Sequence, residues 1–170
     1  MESFYFNNTK EIKNEKANLE NKLNVKITLT GKNVKIEGTP YEEYEASIVF
    51  DAMSFGFTSK KAITLKESDT LFRKLNIKDF TRRKNLYEVR SRIIGKEGKT
   101  KRTIEEISGC EIVIKDNSVG IIGSSESIEL AVTALKNLIK GTKQANVYRF
   151  LERTNKTKNV DDLGIKYKKE

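Results

Sequence analysis

Apolar positions along this 170-residue chain change their period in a fixed order, most clearly in its second half. From Lys99 to Ser108, Thr103, Ile104 and Ile107 recur at helical spacing, while Lys99, Lys101, Arg102, Glu105 and Glu106 fill the other sides. That spacing predicts an amphipathic helix. Ser108-Gly109 predicts its end, because glycine takes the left-handed conformation that closes a helix without steric cost. Cys110–Ile114 alternates as a strand, Asp116-Asn117-Ser118 turns, and Val119–Ile122 returns as a hairpin partner. Ser124-Ser125 then offers a helix N-cap. Ile128, Ala131, Val132, Leu135, Leu138 and Ile139 follow as one apolar stripe, stopped by Lys140-Gly141.

The first half repeats this pattern. A shift of about 85 residues brings Glu20 onto Glu105, Ile27 onto Ile112 and Leu29 onto Ile114, the self-similarity of an internal repeat. Val34 and Ile36 fall on Val119 and Ile121, Gly38 on Gly123, Ala46 on Ala131, Met53 on Leu138 and Gly56 on Gly141. A strand over Glu2–Phe6 and a helix from Thr9 open the first half. Ser59–Leu75 carries two short helical patterns starting at Ser59 and at Ser68-Asp69. Asn76–Phe80 reads as the first strand of the second half, and Gln144–Arg153 has helical spacing in Val147, Tyr148 and Leu151. Beyond Thr154 the chain is rich in Lys and Asn, which predicts a mobile end.

One difference separates the halves. Gly95-Lys96-Glu97-Gly98 follows the apolar pair Ile93-Ile94 and runs into Lys99-Thr100-Lys101-Arg102, whereas the equivalent Lys10-Glu11-Ile12-Lys13 has no glycine. Glycines let backbone approach another molecule closely, and a helix start presents unpaired N–H groups with a partial positive charge. Both suit phosphates. Gly-x-x-Gly spacing alone is weak evidence, since Gly120-Ile121-Ile122-Gly123 has it too and reads as a strand; the cations around Gly95 carry the signal. Helix, glycine loop, helix, strand, strand, helix is the order of a KH domain, whose Gly-x-x-Gly loop clamps about four nucleotides of single-stranded RNA.

Charge falls in the same place. The chain carries net +9, with a pI near 9.5. Between Arg82 and Arg102, nine cations (Arg82, Arg83, Lys84, Arg90, Arg92, Lys96, Lys99, Lys101, Arg102) oppose Glu88 and Glu97, a net of +7. An ordinary solvated helix face intersperses acids at i,i+4, and here they are sparse. The expected ligand is a polyanion. Bases would lie on an apolar platform, for which Ile94, Ile104, Ile112 and Ile114 are candidates, with core packing the competing role for Ile104 and Ile112. The Lys115–Asn117 turn would close the far wall.

Absent residue types narrow the chemistry. With no histidine, no tryptophan and Cys110 as the lone cysteine, an internal disulfide, a Cys/His zinc site and a histidine-based triad are excluded. Cys110 is expected to be a small buried hydrophobe. Asp161-Asp162 reads as solvated acid, not as a metal site. No long apolar run marks a membrane span and no signal pattern opens the chain, so a cytoplasmic, cofactor-free, non-enzymatic protein is expected.

Arg92–Lys101, Ile122-Gly123-Ser124, Leu138–Gly141 and Val147-Tyr148-Arg149-Phe150-Leu151-Glu152-Arg153 occur in the order and spacing of one KH family, which the second half resembles. It is the archaeal and eukaryotic small-subunit ribosome-assembly (rRNA-processing) family that partners the Nob endonuclease; without a long amino-terminal extension, the chain looks like an archaeal form. The resemblance implies a single-stranded RNA-binding assembly factor that grips rRNA near the 3′ end of the small-subunit RNA and presents it to the nuclease. The alpha subunit of initiation factor two is a further implied partner. The expected fold is α+β, two tandem KH-like (type I) units, each a three-stranded antiparallel sheet packed on helices. Residues 1–80 form a degenerate unit without the glycine loop, 81–153 a KH domain with it, and 154–170 a flexible basic tail. Expected RNA contacts are Arg92, Ile94, Gly95, Lys96, Glu97, Gly98, Lys99, Thr100, Lys101, Arg102, Ile112 and Ile114. The alternatives are a general or exosome-type KH protein and a KH-fold protein adaptor.

Overall fold

A computed structural model describes the backbone of residues 1–167 and the side chains of residues 1–156. The chain divides into two compact units, with the division between Phe72 and Arg73.

The first unit starts with strand β1 (Glu2–Tyr5) and helix α1 (Lys10–Leu23), followed by the hairpin β2 (Lys26–Thr30) and β3 (Asn33–Glu37). Helix α2 (Pro40–Phe55) and the single turn α3 (Ser59–Ala62) complete it. The sheet order is β1-β3-β2, with β3 antiparallel to both neighbours. Alternation puts Ile27, Val34 and Ile36 on the covered face, where each is fully buried with Leu19, Leu23, Ala46, Val49 and Phe50. Phe50 anchors this core by stacking on Phe4 and meeting Phe6 edge-on, the offset and T-shaped geometries that aromatic rings favour. A capping box starts α2: the Thr39 side chain accepts from Glu42 N–H and Glu42 bonds back to Thr39, with Pro40 in the first turn, where a missing N–H costs nothing.

The second unit runs β4 (Thr70–Asn76), α4 (Leu86–Ile94), α5 (Lys99–Ser108), β5 (Glu111–Lys115), β6 (Ser118–Ser124), α6 (Ser125–Lys140) and α7 (Gln144–Tyr167), in sheet order β4-β6-β5. The stripe on α6 is buried throughout, with Ile93, Ile104, Ile112, Val119, Ile121, Val147 and Leu151 in the same core. Ser124 accepts from Ser127 N–H as the N-cap of α6, and Gly109 closes α5 in the left-handed conformation. Cys110 is buried, and its Sγ fills the space beside Gly123, where a Cβ would lie 2.4 Å away.

The shift of 85 residues carries through to hydrogen-bond register. Ile27 faces Ile36 and Leu29 faces Val34, while Ile112 faces Ile121 and Ile114 faces Val119. Helices α2 and α6 are both 16 residues long and end at Gly56 and Gly141.

Three expectations change. The edge strand of the second sheet is Thr70–Asn76, not Asn76–Phe80, and the short helix read from Ser68-Asp69 to Leu75 is absent. One local and one long-range hydrogen bond explain this. The Asn76 side chain accepts from Lys78 N–H and ends the strand in a 3-10 turn over Ile77–Asp79, and Ile77 N–H donates to Asn117 O at 2.9 Å. The division between the two units falls within β4. Third, the helix expected over 144–153 runs on to Tyr167. The expected mobile tail, 154–170, includes residues 168–170, which lie outside the described residues.

Candidate nucleic-acid interface

The glycine loop is a tight reversal between α4 and α5. Gly95 (φ +75°), Glu97 (φ +54°) and Gly98 (φ +75°) all have positive φ, which is uncommon for a side-chain-bearing residue such as Glu97. Gly98 N–H donates to Gly95 O at 3.2 Å, and the Arg102 guanidinium donates to Glu97 O at 2.8 Å. The loop is thus held by its own helix, so it is preorganised.

Its two glycines serve different ends. The Thr100 side chain occupies the space a Cβ on Gly95 would need, whereas no atom lies within 4 Å of such a carbon on Gly98. Gly95 permits internal packing; Gly98 leaves an open approach to the backbone. Thr100 is itself buried (3% exposed) and accepts from Gln144 Nε2 at 3.0 Å. The same Gln144 amide donates to Arg92 O at 3.3 Å. Gln144, at the start of α7, therefore links the two helices that flank the loop.

Along α4 lies a depression of about 210 Å³ lined by Tyr87, Arg90, Ser91, Ile94, Ile114 and Asp116. It brings the expected Ile94 and Ile114 together, with Ile94 38% exposed, and Asp116 from the turn after β5 at its far end. Arg90 donates to Asp116 O at 3.1 Å and sits 5.9 Å from the Tyr87 ring centroid. Its Nε is buried without a partner. Tyr87 is 69% exposed, a flat ring on the rim. Sequence reasoning counted Arg90 only as charge and missed Tyr87; its place on α4, seven residues before Ile94 and so on the same helical face, was the available signal.

The remaining expected contacts separate. Lys96, Glu97, Lys99 and Arg102 are exposed, and Arg92, Gly95, Gly98 and Lys101 half-buried. Lys101 is engaged with Glu105 at 3.1 Å, and Arg102 with the loop carbonyl, leaving Lys96 and Lys99 as the loop's unpaired cations among the described residues. Thr100 and Ile112 (1% exposed) and the platform candidate Ile104 (fully buried) are core residues. Ile104 and Ile112 belong to the core of the unit and the Thr100 side chain is taken up by Gly95 and Gln144, so they are withdrawn as direct contacts.

Among the described residues, no helix is long and apolar enough to cross a membrane. The geometry offers an open backbone position, free cations and an apolar slot with one exposed aromatic ring, a combination suited to phosphates and unstacked bases.

Comparison with known proteins places this site in a family. A family model for the second KH domain of PNO1, of the eukaryotic type (KH-domain type I), matches residues 71–156. A KH domain-containing protein of Methanocaldococcus jannaschii is 31% identical over 147 residues, 82% of this chain and 65% of that protein. The RNA-binding protein PNO1 of Oryzias latipes is 35% identical over 74% of this chain and 55% of its own length. The chain thus spans roughly half to two thirds of these relatives. Among solved structures, Dim2p from Pyrococcus horikoshii superposes with a TM-score of 0.79 at 30% identity, covering 89% of this chain and 98% of that one. The a/eIF2alpha-aDim2p-rRNA complex from the same organism gives 0.78 at 29% identity, covering 92% and 94%. A family match over residues 71–156, which hold the glycine loop, joined to this likeness over most of the chain, means that the chain belongs to the PNO1/Dim2 family of KH-domain proteins.

Proposed function

We propose that this chain is a single-stranded RNA-binding factor of small-subunit ribosome assembly, gripping rRNA near its 3′ end while a partner endonuclease of the Nob type matures it. The observation that carries this reading is Gly98, left-handed and unobstructed, beside the slot that Ile94, Ile114 and Tyr87 line. Phosphates sit against the loop backbone and the first turn of α5, where N–H groups lack helical acceptors. Lys96, Lys99 and Arg92 neutralise their charge, and bases lie in the slot. The chain holds and presents; it performs no chemistry, and it works in the cytoplasm. Support for the ribosomal context comes from relatives, one named a pre-rRNA-processing protein and one solved with rRNA and a/eIF2alpha. The alpha subunit of initiation factor two is the second protein partner in this reading.

The first unit is a degenerate KH-like domain in tandem with the second. The shared strand order and register support this. Without a helix before α1, or glycines where Lys10–Lys13 stand, it has no clamp and serves as scaffold or protein-contact surface.

Crosslinking in the cell extract of origin, followed by sequencing of bound fragments, tests the context. Enrichment at the small-subunit rRNA 3′ region is expected; fragments scattered over messenger RNA would favour a general KH protein. Gly98→Asp tests the clamp by placing a side chain and a like charge where a phosphate approaches. Unchanged affinity of the folded variant for short single-stranded RNA would falsify the clamp.

A further inference from the structure

A second cationic surface adjoins the glycine loop, built around the end of α6. Gly141 closes that helix at φ +110°. A side-chain carbon there would lie 3.4 Å from Arg92 Nη1 and 3.9 Å from Arg83 Nη2, so two guanidiniums converge on one point of backbone. Two depressions reach this end of α6, one at Gly141 and one at the preceding Lys140. One, of about 420 Å³, has Arg92 and Lys143 in its wall; the other, of about 270 Å³, has Lys78, Arg82 and Lys140 with Asp79 as its one acid.

Cations near a helix C-terminus gain from the dipole, by roughly 0.3–1 kcal/mol each within the last turn. That accounts for Lys140 and a neighbour, not for six. Nor do the arginines act as caps, because the end of α6 is closed by the N–H groups of Gly141 and Thr142 bonding to Asn137 and Leu138 O. Among the described residues, no side chain of Lys78, Arg82, Arg83, Arg92, Lys140 or Lys143 has an ion pair or hydrogen bond. Like charges gathered without partners repel one another, and a polyanion removes that cost. The surface also continues from the loop: Arg92 contributes its carbonyl to the Gln144 link and its guanidinium to the Gly141 cluster.

We propose that this surface is a second RNA-backbone seat, which takes the phosphates of the strand where it leaves the four-nucleotide clamp, without reading bases. It rests on the clamp reading above and extends the footprint from the loop onto the junction of α6 and α7.

Two random-sequence single-stranded RNAs, of about five and about fifteen nucleotides, separate the two sites in the full chain, since a KH clamp spans about four. The variant Arg83→Ala/Lys140→Ala/Lys143→Ala leaves the clamp untouched. It is expected to bind the short RNA normally and the long RNA about tenfold more weakly, with the log–log salt slope shallower by about 2, near 0.7 for each lost phosphate contact. The charge-preserving Arg83→Lys/Lys140→Arg/Lys143→Arg variant restores long-RNA binding, which separates loss of charge from loss of fold. Long-RNA affinity and slope equal to the parent chain overturn the proposal, as does unchanged RNA binding with lost capture of an acidic protein. Gly98→Asp reports separately: if short-RNA binding survives it, the clamp reading fails, whatever the triple variant does.

Discussion

Thr100 Oγ1 stands 2.1 Å from the point where a Cβ on Gly95 would be. A glycine in a binding loop is readily credited to the ligand, but here the missing side chain serves the protein, letting α5 close onto the end of α4.

Gly95→Ala is therefore expected to lower the melting temperature, an overpacking cost of about 1–3 kcal/mol at a positive-φ position. The double variant Gly95→Ala/Thr100→Ser, which keeps the hydroxyl in place, should not recover this loss, whereas Gly95→Ala/Thr100→Ala should recover part. Denaturant melts of the four proteins check it.

Gln144→Ala removes two bonds that tie α4 to α5 across the loop. At about 1 kcal/mol per net hydrogen bond, a modest loss of stability is expected, together with faster amide exchange at Gly95 and Thr100. Hydrogen exchange followed by mass spectrometry reads it, and protection unchanged at the loop would show that the link does not hold the flanking helices.

Glu105 accepts the N–H of Ile112 at 2.9 Å, and Glu20 accepts that of Ile27 at 2.7 Å. Each carboxylate thus ties a helix to the first residues of the next strand. Glu105→Ala orphans a donor in the core at a cost of about 1–3 kcal/mol, while Glu105→Gln keeps an acceptor and loses less. Glu20→Ala and Glu20→Gln should rank in the same order by thermal melting.

Tyr87→Ala should weaken single-stranded RNA binding by about 1–3 kcal/mol, the usual worth of one aromatic stacking partner. Tyr87→Phe should retain most of the affinity. Because the ring is exposed, neither change should move the melting temperature. Equal affinities for all three proteins would remove Tyr87 from the interface.

Hydrogen bonds from the Thr39 backbone and side chain hold the Glu42 carboxyl below its ordinary value. A depressed folded-state value means that this stabilisation is present above the unfolded carboxylate pKa and is lost as pH falls through the folded one. Thr39→Ala should therefore melt below the parent chain at neutral pH, with the gap narrowing in acid. Melts across the acid range check the sign.

Period and punctuation in the sequence were enough for most elements of the second unit. The α6 stripe, the Ser124 cap, the Gly109 and Gly141 stops and the β5–β6 hairpin are set by residues within a turn or two of each other. The strand at Thr70–Asn76 was misread because Thr-Leu-Phe-Arg-Lys-Leu-Asn has no clean period. A vacant edge on β6 and the bond from Ile77 to Asn117 decide its conformation, and both lie some forty residues further along the chain.

The sequence by itself determined the repeat, the glycine-loop unit and where the positive charge concentrates, since each is written in neighbouring residues. Only the tertiary structure decided which of those residues face outward. It turned Thr100 and Ile112 into the core, spent Gly95 on packing, paired Ile94 with Ile114 and set Arg83 and Arg92 beside Gly141. A side chain's direction depends on what the rest of the fold must cover, and no local pattern carries that information.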